Sequence, residues 1–333
     1  MTEVEKENAH IFGRKIFFVC STFTLNTNII LRLMQQEYEV YKIDEPRLLK
    51  NLLKLDPNAI VCINADSHFV PAVWYNFISS FEHDPEFESC DFAVFSAKLK
   101  GSAKLRFEQG LKLKAGFFSL DKNFGEIMSG VIEKLENLKA KGLRKFVRLN
   151  CTGDKSAEAY FINGNMMYKM NFVDISSIGV GLIIPSKYAS AVRVNSVIQG
   201  LTLVLGNKQL KVNAKIHTIK AIQNGILAVL IFTPDTPDSF RNFVRTYICE
   251  ELQKRLNNKM IHLSQDTTDY TVEVASPAEN EDKKDSETDS NSEENKENTE
   301  STSQTASAEN VEEAEGVEEL APEEGAAQPE QNS

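Results

Sequence analysis

The feature that most constrains this chain is a change of hydrophobic period near Gly142. Before it, short apolar runs alternate with stretches of helical spacing. Lys15–Cys20 (KIFFVC), Ala59–Asn64 (AIVCIN) and Asp91–Ala97 (DFAVFSA) have the continuous apolarity of strands buried on both faces, and Tyr38–Ile43 and Gly116–Leu120 add two more. Between and after them, Thr24–Gln36, Pro46–Leu55, Val70–Phe81, Leu105–Leu113 and Phe124–Lys141 read as helices. The last carries Ile127, Val131, Leu135 and Leu138 on one face. Five such units predict a parallel sheet covered on both sides, a flavodoxin-like doubly wound α/β domain over residues 1–141.

After Gly142 the runs shorten and partly alternate: Lys145–Cys151, Ala157–Ile162, Met166–Ile175, Gly179–Ile184, Ser196–Val204, Gln209–Thr218 and Gly225–Phe232. Turn signals separate them, at residues 152–154 (TGD), Asn163–Gly164–Asn165, Gly206–Asn207 and Asn224–Gly225. This spacing predicts an antiparallel β-barrel over residues 142–265. A C-terminal helix, Asp238–Leu256, is expected to complete it, with Asp238 or Ser239 as N-cap and Phe240, Val244, Tyr247, Ile248 and Leu252 on one face.

The net charge of −11 describes neither half of the charge distribution. Residues 276–333 hold nineteen Asp/Glu against three Lys, a net of −16, which leaves +5 on the rest of the chain. That acidic stretch has no Phe, Tyr, Trp, Ile or Met, so it cannot bury enough apolar surface to offset the entropy of ordering. A disordered acidic tail is expected over residues 266–333, either solubilising a basic body or docking to a partner.

Several function classes find no support. No apolar run approaches 18 residues, so no membrane span is expected. The polar Met1–His10 and the short first apolar run predict no signal peptide. Five cysteines without CxxC spacing read as reduced thiols of a cytoplasmic protein. The five histidines are scattered without zinc-ligand spacing, and neither GxSxG nor GxxxxGK[ST] occurs.

The order and length of the α/β part resemble a response-regulator receiver domain. That resemblance implies an acidic pair after the first strand to hold Mg²⁺ and an Asp at the end of the third. Here the first position reads Cys20-Ser21-Thr22, and Asn64 stands where the acceptor is expected, with Asp66 two residues on. Ser96 matches the hydroxyl after the fourth strand, but Leu120 and Asp121 stand before Lys122 where a lysine should close the set. Without carboxylates around a metal, phosphoryl transfer to Asp66 lacks charge neutralisation. The expectation is a degenerate, non-phosphorylating receiver-like domain; the plainer reading is an unrelated α/β scaffold.

Two short motifs carry the functional reading. Arg144-Lys145-Phe146-Val147-Arg148 is an RxxxR at the start of the barrel. Asp174-Ile175-Ser176-Ser177-Ile178-Gly179 is a DxSxxG between two later strands, with 26 residues from Arg148 to Asp174. In that order, within residues 142–262, they resemble the PilZ family, whose members bind the bacterial second messenger cyclic di-GMP. The resemblance implies a ligand site at Arg144, Arg148, Asp174, Ser176 and Gly179, with no catalysis, metal or further cofactor. The chemistry suits such a ligand. Guanidinium groups fork to phosphate and stack on bases. Asp174 can accept from a guanine N1–H and N2–H₂, Ser176 can add a hydroxyl contact, and Gly179 permits close backbone approach. The bland reading of the same residues is solvated charges and an ordinary turn.

Family members often carry a further Arg immediately before the RxxxR; here that position is Leu143, expected to pack on the barrel or the preceding helix. One ligand per chain follows from that substitution. The helix ending near Lys141 would lead straight into an arginine segment with no acidic clamp. Ligand would order that segment, change the angle between the domains and signal to a protein partner, of motility or envelope machinery. DNA or RNA binding is not expected, because the barrel lacks aromatic–basic interleaving. The alternatives are a phosphorylation-dependent response regulator and an adaptor with a vestigial ligand site.

Overall fold

A computed structural model describes residues 11–154, 156–223 and 225–272. The expectations that fall on Met1–His10, on Asn224 and on the tail after Val272 lie outside the described residues.

The first sheet is parallel: β1 (Ile16–Val19), β2 (Val40–Ile43), β3 (Ile60–Asn64), β4 (Asp91–Ser96) and β5 (Gly116–Ser119), in the order β2-β1-β3-β4-β5. This is the flavodoxin-like order, as the alternation of strands and helices predicts. Strand pleating sends Ile16, Phe18, Ile60, Cys62, Ala93 and Phe95 into one core, against Leu25, Ile29, Leu33, Ile127, Val131 and Leu135. The intervening Phe17, Val19, Val61, Ile63, Phe92 and Val94 enter a second core with Leu49, Leu52, Trp74, Phe77 and Phe81. Both faces are therefore dry, and each enclosed large side chain contributes about 1.5–3 kcal/mol.

Helix boundaries differ where local chemistry overrides periodicity. The weak helix expected over 105–113 forms at Gly101–Gly110; Leu111 leaves it but stays buried. The helix expected to run to Lys141 is Phe124–Asn137, ended by Lys139 at φ +52° and a buried Ala140 whose carbonyl accepts from the Arg14 amide. It does not lead straight into the arginine segment.

The second sheet holds β6 (Arg148–Asn150), β7 (Ala157–Asn163), β8 (Met166–Ser176), β9 (Gly179–Pro185), β10 (Val197–Leu205), β11 (Lys208–Ile222) and β12 (Gly225–Phe232), all pairs antiparallel. Six strands close into a barrel because β8 pairs with both β7 and β9; β6 adds to the free stretch of β8. Two of its hairpins turn on Gly164 (φ +59°) and Gly206 (φ +59°), each first of a two-residue loop, where a positive φ favours glycine.

The closing helix is Asp238–Met260, about 35 Å long at 1.5 Å per residue. Its N-cap is Pro237, without a side-chain cap bond, rather than Asp238 or Ser239. Phe240, Val244, Tyr247 and Ile248 enter the barrel core, whereas Leu256, four residues beyond Leu252, enters the α/β core. One helix thus braces both layers. Gln253 strengthens the joint: its amide accepts from the Lys42 N–H (2.8 Å) and donates to the Lys42 carbonyl (3.0 Å), satisfying the edge of β2.

The tail boundary expected at residue 266 also moves. Tyr270 is buried with its ring 5.1 Å from Phe77, its carbonyl accepts from Asn76 (2.8 Å), and the Asp266 carbonyl accepts from Arg47 (2.8 Å). Residues 266–272 therefore belong to the α/β layer; the acidic composition further on obscured an aromatic anchor. Among the described residues no helix is long and apolar enough to cross a membrane.

Candidate functional site

The RxxxR segment is set in place by a crossing of two backbones. A Cβ on Gly13 would lie 2.6 Å from the Ala140 carbonyl oxygen, and one on Gly142 would lie 2.6 Å from that of Ile11. Only glycine permits this approach. The crossing continues into a bond from the Arg144 N–H to the Ile11 carbonyl (3.1 Å). Pinned on both sides, Leu143 is turned outward and 69% exposed, so it does not pack as expected. β6 then pairs Arg148 with Ser176 and Asn150 with Asp174, which puts those four residues on one face and Leu149 and Ile175 in the core.

The DxSxxG segment is the β8–β9 hairpin, turning on Ser177 and Ile178. A bulge between Phe172 and Asp174 shifts the register just before the carboxylate. Asp174 sits opposite Gly181, where a Cβ would be 2.8 Å from its Oδ1. Gly181 thus makes room for the carboxylate. It escapes the motif, although a second glycine two residues into a strand is itself a signal of close approach. Gly179 is required for a different reason: a Cβ there would collide with the Leu230 carbonyl oxygen on β12.

Three of the five expected residues converge. Arg144, Arg148 and Asp174 line one cleft of about 260 Å³ with Phe12, Glu39, Phe146, Val147, Asn150 and Val173. The Arg148 Nη1 lies 3.3 Å from Asp174 Oδ2, a part-exposed pair. Such a pair is worth about 1 kcal/mol or less, so it yields readily to a better anion. The Arg144 Cζ lies 4.2 Å from the Phe12 ring centroid. Burial and the nearby Arg148 charge lower the Arg144 pKa, with Asp174 opposing them. Ser176 and Gly179 do not line the cleft. The Ser176 hydroxyl is buried and donates to the Gly179 carbonyl (3.2 Å), closing the hairpin.

The acidic clamp that the sequence lacks locally comes from the α/β layer. The Leu31–Gln35 helix ends with Glu37 donating to the Met34 carbonyl and Tyr38 to that of Leu33, with Glu37 at φ +64°. This is the left-handed helix stop usually occupied by glycine. Glu37 Oε2 accepts from the Val147 N–H (3.1 Å); its Oε1 accepts from the Ser177 hydroxyl (2.7 Å) and Arg245 Nε (2.6 Å). One buried carboxylate therefore holds the RxxxR segment, the DxSxxG turn and the closing helix.

Asp66 accepts from the Ser96 hydroxyl and from the N–H groups of Ala97 (2.6 Å) and Lys98 (3.2 Å). Asn64 donates to the Cys20 carbonyl (2.9 Å) and to Ser67 Oγ (3.0 Å). Among the described residues no group of three His, Cys, Asp or Glu could hold a metal ion.

No family model matches this chain, and no curated protein matches it. Solved structures do. Over 37% of its length the chain is similar to YcgR from Escherichia coli in complex with cyclic di-GMP, at 13% identity and a TM-score of 0.30. The match spans 52% of that YcgR chain. The isolated PilZ domain of YcgR with cyclic di-GMP matches at 12% identity over 36% of this chain and 99% of that one, with a TM-score of 0.31. The K. pneumonia MrkH–cyclic di-GMP complex matches at 12% identity over 36% of this chain and 57% of that one, also at 0.31. One of these solved structures is a PilZ domain, and the RxxxR and DxSxxG patterns stand in this chain at Arg144–Arg148 and Asp174–Gly179.

Proposed function

We propose that this chain is a cyclic di-GMP receptor that carries its signal through the joint between its α/β layer and its barrel. The observation that carries the reading is the convergence of Arg144, Arg148 and Asp174 on one cleft, from two motifs 26 residues apart. Two guanidiniums supply forked donors for phosphate and flat surfaces for a base; the carboxylate supplies acceptors for a guanine edge. The role is binding rather than catalysis. Ser176 and Gly179 serve by fixing the hairpin that aims Asp174.

The cleft is smaller than the roughly 300–1,000 Å³ of pockets that enclose whole ligands. It takes a base or a phosphate as it stands; the rest of a dinucleotide would lie over its open side or be admitted by a shift of the RxxxR segment. That segment is tied to Glu37, and Glu37 is tied to the closing helix. Ligand binding and interdomain geometry are coupled through those bonds, and a protein partner would read the change. Phosphorylation is disfavoured as the input, because Asp66 is already engaged by Ser96, Ala97 and Lys98.

A thermal-shift titration tests the reading. Cyclic di-GMP should raise the melting midpoint in a concentration-dependent way, whereas GTP should not. No shift with either would leave the adaptor with a vestigial site, and equal shifts with both would mean a site that does not select cyclic di-GMP.

A further inference from the structure

Resting on that reading, we infer that Phe12 is a residue of the ligand site, supplied by the α/β layer as the floor beneath Arg144. Phe12 lies 132 residues before Arg144 and outside both motifs. Three features place it there. Arg14 is locked two residues away: its guanidinium forms a buried pair with Asp91 at 2.6 Å and donates to the carbonyls of Asn58 (2.7 Å) and Ser89 (3.1 Å). The Gly13–Gly142 crossing then brings the strand-leading segment against the RxxxR segment, and the Arg144 N–H fixes the register on Ile11. Last, the Arg144 guanidinium sits 4.2 Å from the Phe12 ring centroid.

A ring that served only to fill the core would be buried. Phe12 is 49% exposed and lines the cleft with Arg144, Arg148 and Asp174. Its work is to hold the flexible guanidinium flat by cation–π contact, leaving the opposite face of Arg144 free for a guanine. Phe12 is thus a positioning residue, and the site is incomplete in a barrel lacking the α/β layer.

The test uses the full chain and compares Phe12→Leu, Phe12→Ile and Phe12→Tyr by calorimetric titration with cyclic di-GMP, alongside melting midpoints. Phe12→Leu and Phe12→Ile keep an apolar side chain but lose the ring, and should bind roughly five- to tenfold more weakly at an unchanged midpoint. Phe12→Tyr should stay within about twofold of the parent. In Phe12→Trp, the new indole should change its emission on ligand addition with the calorimetric midpoint, while the buried Trp74 does not respond. Leu and Ile variants that bind like the parent would overturn the inference alone. So would affinity losses that track lowered midpoints across all the variants. A parent protein that binds no cyclic di-GMP would instead overturn the receptor reading on which the inference rests.

Discussion

Replacing Glu37 by alanine should destabilise the protein by about 3 kcal/mol, and replacing it by glycine should cost less. The carboxylate is 9% exposed and takes hydrogen bonds from Arg245 Nε at 2.6 Å, Ser177 Oγ at 2.7 Å and the Val147 N–H at 3.1 Å. Hydrogen bonds to a charged group contribute about 1.5–3 kcal/mol each, and removing one partner of a buried ion pair costs about 3–5 kcal/mol. Arg245 keeps 23% of its side chain exposed and can rehydrate, which places the loss at the low end. The backbone adds a second contribution. Residue 37 sits at φ +64° at a helix stop that glycine usually occupies, and a left-handed L-residue costs roughly 1–2 kcal/mol. Alanine retains that strain and loses the bonds; glycine loses the bonds and the strain together, so Glu37→Gly should be about 1 kcal/mol more stable than Glu37→Ala. Urea unfolding followed by Trp74 emission, with far-UV circular dichroism for the whole chain, gives both values from midpoints and slopes. A Glu37→Ala protein within about 1 kcal/mol of the parent, or a glycine variant below the alanine one, would refute the reasoning.

Two further outcomes follow from the same geometry. Gly181→Ala would put a Cβ 2.8 Å from Asp174 Oδ1, so the carboxylate must turn away; cyclic di-GMP affinity should fall about tenfold or more in calorimetry with little change in melting midpoint. The thiols of Cys20, Cys90, Cys151 and Cys249 are each pushed up to about 12, chiefly by burial, whereas unfolded thiols ionise near roughly 8.5. Above that pH the unfolded state has lost protons that the folded state keeps, so stability should decline as pH rises from about 8.5 towards 12, read as a falling urea midpoint; a flat midpoint would contradict it.

Much of the architecture is legible because it is periodic. The β1, β3 and β4 runs are apolar through their middles and come out buried on both faces, and β12 occupies the residues its apolar run marks out, Gly225–Phe232. The glycine turns at 164 and 206 are legible because a positive φ there has one cheap occupant. Arg144, Arg148 and Asp174 are legible as motif residues, and the structure brings them to one cleft. What escapes is long-range. Glu37 reaches Val147 across 110 residues and Ser177 across 140, and nothing in the run around Gln35–Tyr38 announces a left-handed glutamate. Phe12 lies in a short stretch with no periodicity of its own. Tyr270 was hidden by the acidic composition that follows it, and Leu143, read as a packing residue, is turned outward between the Gly13–Gly142 crossing and the Arg144 N–H bond to Ile11.

The most direct measurement is calorimetry of the full chain with cyclic di-GMP, with GTP as control and Arg148→Ala as the paired variant. The account predicts binding in the micromolar range or tighter, about −8 kcal/mol, near one ligand per chain, and none with GTP. Arg148→Ala should bind at least tenfold more weakly at an unchanged melting midpoint, because its forked donors to phosphate are lost while its exposed pair with Asp174 holds little of the fold together. A folded parent protein that takes up no cyclic di-GMP, or an Arg148→Ala protein that binds as well as the parent, would contradict it.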